Sequence, residues 1–383
     1  MNNKSSNTPI IVVFIVLIII SIACGGSTTG IINPTSNIDV ADNTSIPSNK
    51  STNTPNPSKT PKSTFTATIA PLGLSRSNPF PKSDLIHAPN WDLNVLEVKR
   101  GDDAWKDIQD ANMFNDPAPE GLEYILIMIH AKSTYSDNDD HSISKYDFKI
   151  TGDKYISYTS FMASVVAPEP RLDAKLFSGG ETEGWTVFVV TQGEGNLILV
   201  VDELFNFEEN ATRYIALDEG ASISIPANLA GITPTNAGKD RNNPASRTEV
   251  VVTEDWQINL LEVFRGEGAW SLVHEANQFN DPPEDGMEYI AVYIHVKYIN
   301  TKDKAENISD IFFNSTGSAG VLYDLPSVVE PEPSLDVSLY PGGEYEGWII
   351  VQAAIGETNV ILVFEPLFDF SETNTRYISL EPE

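Results

Sequence analysis

Apolar and polar residues alternate with a period of two through much of the chain, which is the pattern of β-strands. In residues 289–297 the β-branched side chains occupy every second position, at Ile290, Val292, Ile294 and Val296. Residues 124–132 show the same pattern, with Ile125, Ile127, Ile129 and Ala131. These side chains are expected to face a core, and those between them to face solvent or an interface.

Further short apolar segments bounded by turn residues predict more strands in the first copy of this pattern. They are residues 155–161, 172–177, 185–191, 197–201 and 213–217. A helical pattern occurs at 104–113, where Trp105, Ile108 and Ala111 are spaced for one face of a short helix. Short strands joined by turns, with one brief helix, predict an antiparallel β-sandwich.

The pattern occurs twice along the chain. Trp91 and Trp256 begin the two copies at an offset of 165 residues, and later landmarks are offset by 163. The clearest match is a glycine pair, two alternate glutamates and Gly-Trp, at residues 179–185 and 342–348. Matching over about 130 residues indicates a duplicated domain, because two copies are too few for a solenoid.

The first 24 residues carry the pattern of an export signal. Residues 10–23 form an apolar run of 14 residues, shorter than the roughly 20 that span a membrane. Cys24 is the only cysteine and follows this run directly, before Gly25 and Gly26. The segment resembles the lipobox of bacterial lipoproteins. The resemblance implies that the Cys24 thiol is acylated and anchors an exported protein to a membrane; the alternative is an uncleaved N-terminal anchor.

Composition and charge divide the remaining chain and limit its partners. We predict a disordered Ser/Thr/Asn/Pro-rich stalk at 25–85, one sandwich at 86–225, a linker at 226–249 and a second sandwich at 250–383. The formal charge of −30 disfavours binding to nucleic acid and adsorption of the folded domains to anionic membranes. A lone cysteine forms no internal disulfide, so core packing must supply the stability.

The order of landmarks resembles a group of bacterial immunoglobulin-like lipoprotein domains of unknown function found on exported proteins. These landmarks are Trp91, Arg100-Gly101, Glu123-Tyr124 and the glycine pair before Gly184-Trp185. The resemblance covers both copies and brings no catalytic residues. It implies an all-β protein of two tandem immunoglobulin-like antiparallel β-sandwiches, here each with a short helical insertion.

Polar side chains crowd a Pro-containing loop after the helix in both copies. They are Asn112, Asn115 and Asp116 in the first copy and Asn277, Asn280 and Asp281 in the second. Side-chain oxygens are the ligands that Ca²⁺ prefers, although this spacing matches no defined calcium loop. Asn and Asp before Pro also stabilise turns through their own backbone. We therefore prefer a structural turn, keep Ca²⁺ as the alternative, and predict no other cofactor.

Enzyme chemistry finds little support in the sequence. A Gly-x-Ser-x-Gly elbow and a reactive cysteine are missing, and the five histidines lack the spacing of a zinc site. We predict a non-enzymatic binding or structural module, lipid-anchored at the cell membrane or the outer envelope surface, with a protein or envelope ligand as partner. The alternatives are an ion- or small-ligand-binding lipoprotein that uses its Asn/Asp/Glu-rich loops, and an unrecognised hydrolase.

Overall fold

The computed structural model describes residues 70–203, 206, 210–366 and 374–382. Within them the chain folds into two copies of one β-sandwich, so the predicted all-β class is confirmed. We name them repeat 1 (residues 70–225) and repeat 2 (residues 235–382). The predicted signal segment, Cys24 and the stalk up to residue 69 lie outside the described residues. No helix in the described part of the chain is long and apolar enough to cross a membrane.

Repeat 1 contains eleven strands and one α-helix. The strands are β1 Phe80–Pro81, β2 Ile86–His87, β3 Trp91–Arg100, β4 Leu122–Ser133, β5 His141–Ser144, β6 Phe148–Thr151, β7 Tyr158–Thr159, β8 Asp173–Leu176, β9 Glu181–Thr191, β10 Ile198–Val201 and β11 Arg213–Ala216. Helix α1 is Asp102–Ala111, and short 3₁₀ helices are Lys145–Asp147 and Ser160–Met162. The predicted strand at 155–161 shortens to β7 because a 3₁₀ turn follows it.

The described residues of repeat 2 form ten strands that follow the order of β2 to β11. The strands are β12 Val251–Val252, β13 Trp256–Arg265, β14 Met287–Tyr298, β15 Glu306–Ser309, β16 Phe313–Thr316, β17 Leu322–Tyr323, β18 Asp336–Leu339, β19 Glu344–Ala354, β20 Ile361–Phe364 and β21 Arg376–Ser379. Helix α2 is Glu267–Ala276, and 3₁₀ helices are Ala227–Gly231 between the repeats and Asp310–Phe312.

Each repeat stacks two sheets. In repeat 1 the strand orders are β1-β11-β10-β6-β7 and β2-β3-β4-β9, and in repeat 2 they are β17-β16-β20-β21 and β12-β13-β14-β19. The pairs β5-β8 and β15-β18 complete the sandwiches. Among the named strands only β1 and β11 pair in parallel. The antiparallel sandwich predicted from the turn spacing is therefore present in both repeats.

The alternation in the long central strands places their side chains as predicted. Ile125, Ile127, Ile129 and Ala131 of β4 lie in the core of repeat 1, and Ile290, Val292, Ile294 and Val296 of β14 lie in the core of repeat 2. The other face of each long sheet is also covered, because an α-helix packs on its outer side. This explains why residues on both faces of β9 and β19 are apolar.

Helix α1 uses a different face from the one the spacing predicts. Ala104 and Ile108 are fully buried, Trp105 is half-buried and Ala111 is exposed. Residues four apart lie above one another on a helix, so Ala104 and Ile108 form the contact with the sheet. They pack with Trp185 of β9 in a small cluster outside the sandwich core.

Two segments that composition assigned to the stalk and the linker are bonded to the sandwiches. Phe80 pairs with Ile215, and Ala245 forms a parallel bridge with Ile378. Both segments follow a Gly-x-x-Arg-x-Asn-Pro motif, at residues 73–79 and 238–244, which keeps the offset of 165. Each repeat therefore begins upstream of its first tryptophan, and residues 70–85 and 236–249 are not wholly stalk and linker.

Candidate partner-binding site

The most exposed large apolar side chains of the two helix-following loops are phenylalanines at equivalent positions. Phe114 is 84% exposed and Phe279 is 92% exposed. We call residues 112–116 and 277–281 the Phe loops. An isolated exposed apolar residue needs no explanation, but one that recurs at the same place in both repeats indicates a shared role.

The backbone of each Phe loop is held by asparagine side chains. Asn112 Oδ1 accepts the Phe114 N–H at 3.1 Å, and Asn277 Oδ1 accepts the Phe279 N–H at 3.0 Å. Asn and Asp often hold a turn in this way. The exposed rings are therefore presented by a fixed backbone.

A second asparagine ties each Phe loop to the rest of its repeat. Asn115 Nδ2 donates to the carbonyls of Ile108 and Val166 at 2.8 and 2.9 Å, and its Oδ1 accepts the Val166 N–H at 2.9 Å. In repeat 2, Asn280 makes the same bonds to Val273 and Val329, at 2.7 to 2.8 Å. The side-chain amides of Asn115 and Asn280 thus join the end of each helix to the segment that contains Val166 or Val329.

The backbone carbonyls of Asp116 and Asp281 also accept hydrogen bonds that hold the Phe loops. Tyr124 Oη donates to the Asp116 carbonyl at 3.0 Å, and Tyr289 Oη donates to the Asp281 carbonyl at 3.1 Å. Burial raises the pKa of both tyrosines, and the nearby aspartate raises it further. The tyrosine hydroxyls therefore remain donors at neutral pH.

These contacts show what the six predicted Ca²⁺ ligands do in the structure. The structure brings the six residues into two loops, but the side-chain oxygens of the four asparagines each accept a backbone N–H. The asparagine oxygens thus hold the loop backbone, as the preferred structural turn requires, and the Ca²⁺ alternative stays a prediction. Within the described residues, no three His, Cys, Asp or Glu side chains are grouped to hold a metal ion.

In repeat 1 the Phe loop borders a larger apolar surface. Val166, which the Asn115 amide contacts, is partly exposed, and Phe161 is also exposed and stacks on Tyr146 with ring centroids 4.4 Å apart. A cavity of 210 Å³ lies beside Tyr146 and Val166 and is also lined by Lys145, Arg171 and Trp185. We call Phe114, Tyr146, Phe161 and Val166 apolar face 1.

Repeat 2 has a smaller counterpart. Ile311 and Val329, at the positions of Tyr146 and Val166, are both about half exposed. The 3₁₀ turn that carries Phe161 has no counterpart, because the second copy is two residues shorter there. We call Phe279, Ile311 and Val329 apolar face 2.

The charge beside the two faces is opposite. Lys145 in repeat 1 corresponds to Asp310, and Ala167 corresponds to Glu330. Burial, with a smaller contribution from the neighbouring Asp310 and Asp336, raises the pKa of Glu330 to about 8. Lys145 thus places a cation beside apolar face 1, and Asp310 places a carboxyl group beside apolar face 2.

Histidines and glutamates of the long sheets form a separate, solvated set. Lys132 lies 2.8 Å from Glu181, and Lys297 lies 2.6 Å from Glu344, across neighbouring strands. His130 and His295 contact the same glutamates at 3.4 and 3.2 Å. Exposed pairs of this kind contribute little to stability, and they lie on the outer sheet face as the alternation predicts.

No protein-family model and no curated protein matches the chain. Three solved structures resemble about a third of it. A candidate lipoprotein, YcdA, from Bacillus subtilis is 12% identical at a TM-score of 0.26, over 35% of this chain and 38% of that one. YjhA from Bacillus subtilis is 13% identical at 0.25, over 36% and 99%. An uncharacterized β-sandwich protein from Clostridium difficile 630 is 16% identical at 0.24, over 39% and 100%. No site or activity of this chain follows from these likenesses.

Proposed function

We propose that this chain is an exported, lipid-anchored module of the cell envelope that binds a partner protein through its apolar faces and catalyses no reaction. The observation that carries the proposal is the equivalent exposure of Phe114 and Phe279. Each ring stands on a loop held by two asparagine side chains, so little conformational entropy is lost when it is covered.

The energetics of such a contact suit a protein partner. Covering a phenylalanine side chain stabilises a complex by roughly 1.5–3 kcal/mol, and aromatic anchors of this kind dominate many interfaces. Two faces on one chain also allow a partner with two copies of its own site to bind with avidity. The polar side chains of the Phe loops bond to backbone groups, which supports a role in loop geometry rather than in catalysis.

The test is photo-cross-linking of the full chain in intact cells. A photoreactive phenylalanine derivative replaces Phe114 or Phe279, and the matched control positions are Leu96 and Leu261, exposed equivalents on β3 and β13. We expect a discrete protein adduct from the two phenylalanine positions and none from the leucines. Adduct patterns that are the same at all four positions would contradict the proposal.

The lipid anchor has its own test. We expect Cys24→Ala to release the chain from the membrane fraction and to leave a mature N-terminus without the mass of a diacylglycerol. Both follow from the apolar run and the glycines that flank the only cysteine. Membrane fractionation and the mass of the N-terminal peptide measure the outcome. An unchanged mass with retained anchoring would leave the uncleaved-anchor alternative.

A further inference from the structure

The two repeats are joined by a backbone bridge. Two hydrogen bonds, of 2.7 and 2.8 Å, connect residues 155–157 of repeat 1 to residues 338–340 of repeat 2. Ile156 and Leu339 are the antiparallel bridge partners, and Ile156 packs against the cores of both repeats. The edge of one repeat thus extends a strand pair of the other.

We call this connection between the repeats the joint. Arg76, in the turn at residues 73–79, adds side-chain contacts to it. Its Nε lies 2.7 Å from Asp303 Oδ1 of repeat 2, and its guanidinium carbon lies 3.9 Å from the centroid of the Tyr340 ring. The side chain is fully buried. Within the described chain Nη1 and Nη2 have no hydrogen-bond partner, so the carboxylate and the aromatic ring are what stabilise this charge in the joint.

The joint uses a different surface on each repeat. Repeat 1 contributes what we call its rear surface, Arg76 and residues 155–157. Repeat 2 contributes its front surface, Asp303 and residues 338–343. Because the repeats are copies, each has both surfaces. The rear surface of repeat 2 is Arg241 with residues 320–322, and the front surface of repeat 1 is residues 137–140 with 175–180. Neither of these is used in the joint. A contact between unlike surfaces is able to continue from one molecule to the next.

The front surface of repeat 1 is exposed to solvent, whereas the equivalent front surface of repeat 2 is buried in the joint. Tyr340 is 3% exposed in the joint, whereas Phe177 at the same position is 63% exposed. A Cβ placed on Gly342 would meet Pro226 at 2.7 Å, whereas one on Gly179 would meet nothing within 4 Å. On the rear surface of repeat 2, Val321 and Leu322 are about half exposed. Both surfaces thus present apolar groups to solvent.

The charges on the two unused surfaces are complementary. Arg241 occupies the position of Arg76, stays half-exposed, and donates to Thr316 Oγ1 at 3.2 Å. Asp303 corresponds to Asn138, which stands among Asp137, Asp139 and Asp140 in an exposed loop. Lys175 lies 3.8 Å from Asp140 and His141 lies 2.8 Å from Asp137, and the three carboxylates still outnumber the one lysine of this surface. A guanidinium on one surface would meet carboxylates and the Phe177 ring on the other, as Arg76 meets Asp303 and Tyr340.

We propose that a second copy of this chain places the rear surface of its repeat 2 on the front surface of repeat 1, and so repeats the internal joint between molecules. Val321 then stands opposite Leu176, as Ile156 stands opposite Leu339. The contact joins unlike surfaces, so each added copy leaves one of each free for the next copy. Anchoring to one membrane favours the contact, because it raises the effective concentration. This proposal is independent of the apolar faces.

Disulfide cross-linking of the full chain in cells tests the register. Facing residues of an antiparallel pair have Cβ atoms about 4.5–5.5 Å apart, close to the separation that a disulfide requires. The variant carries Leu176→Cys and Val321→Cys, and a second version uses Phe177→Cys in case Leu176→Cys folds poorly. The positive control carries Ile156→Cys and Leu339→Cys, which should close within one molecule. The parent chain, with Cys24 alone, is the background control.

The expected result is a ladder of dimer, trimer and higher species from the doubly substituted chain after mild oxidation. Chains with either substitution alone, expressed together, should give dimers only, and Arg241→Glu should reduce the ladder at least several-fold. Phe114→Ser with Phe279→Ser should leave it unchanged, which separates this proposal from the proposed function. The proposal is overturned if the internal control closes but neither doubly substituted chain gives a ladder. An equal ladder from Leu96→Cys with Val321→Cys would also overturn it.

Discussion

Trp185→Ala should lower the free energy of unfolding of repeat 1 by about 3–5 kcal/mol, the usual cost of removing a buried tryptophan. The ring is only 8% exposed and packs with Ile108 and Tyr124 between helix α1 and the long sheet. Deleting it leaves a hole beside the cavity that Tyr146 and Val166 line, and it removes a large side chain from the cluster that packs helix α1 on the sheet. A loss of this size is a large part of the roughly 5–15 kcal/mol available to a domain.

Urea unfolding monitored by far-ultraviolet circular dichroism measures this effect. Trp348→Ala is the matched variant in repeat 2, and it should cost less because Trp348 is only half-buried. Phe114→Ala is the exposed control and should shift the midpoint by less than about 0.5 kcal/mol. A Trp185→Ala chain as stable as the parent would mean that the tryptophan serves ligand binding and not packing.

Glu330→Ala should stabilise repeat 2 at pH 8 and leave its stability near pH 4.5 almost unchanged. The pKa of Glu330 rises from its ordinary 4.5 to about 8, first through burial and then through the nearby Asp310. Between these values the folded protein holds a proton that the unfolded chain has released, so the free energy of unfolding falls as the pH rises. Each unit of raised pKa corresponds to about 1.4 kcal/mol, so the variant should gain several kcal/mol at pH 8.

The choice of alanine for this test comes from the protein itself, since Ala167 occupies the equivalent position in repeat 1. Thermal unfolding of parent and variant from pH 4.5 to 8 gives the difference between them at each pH. Glu275→Ala, an exposed change on helix α2, controls for loss of one negative charge. A Glu330→Ala curve that runs parallel to the parent curve over this range would show that Glu330 is not the titrating group.

The sequence predicts the sheet faces well because alternation is a direct consequence of strand geometry. Ile125 and Ile290 lie where a period of two requires. The helix at 104–113 is also predicted, but its buried face is formed by Ala104 and Ile108, which pack in one cluster with Trp185. Strands β5 and β6 were not predicted: β5 contains two serines and a histidine among its four residues, and its pairing with β8 is long-range.

The starts of the repeats and the apolar faces were missed for different reasons. The turn at 238–244 is polar and rich in Asn, so composition alone predicts a linker there. Its Arg and Asn-Pro nevertheless match those at 73–79. Phe114 and Phe279 were visible as repeated residues, but their exposure depends on the asparagine bonds that turn the loop outward. Periodicity carries no information about such bonds. For the polar residues beside them the sequence favoured a structural turn over a Ca²⁺ site, and the asparagine side chains bond to the loop backbone.

The position of Arg76 also determines how the folded part would respond to mechanical load. Tension applied to the chain at residue 70 reaches the turn at 73–79 first. There the Arg76 side chain transmits it directly to Asp303 of repeat 2, while the pairing of β1 with β11 transmits it to repeat 1. Tension at this turn therefore acts on contacts with both repeats, and the contacts with repeat 1 include the bond from the Tyr214 N–H to the Gly73 carbonyl at 3.0 Å.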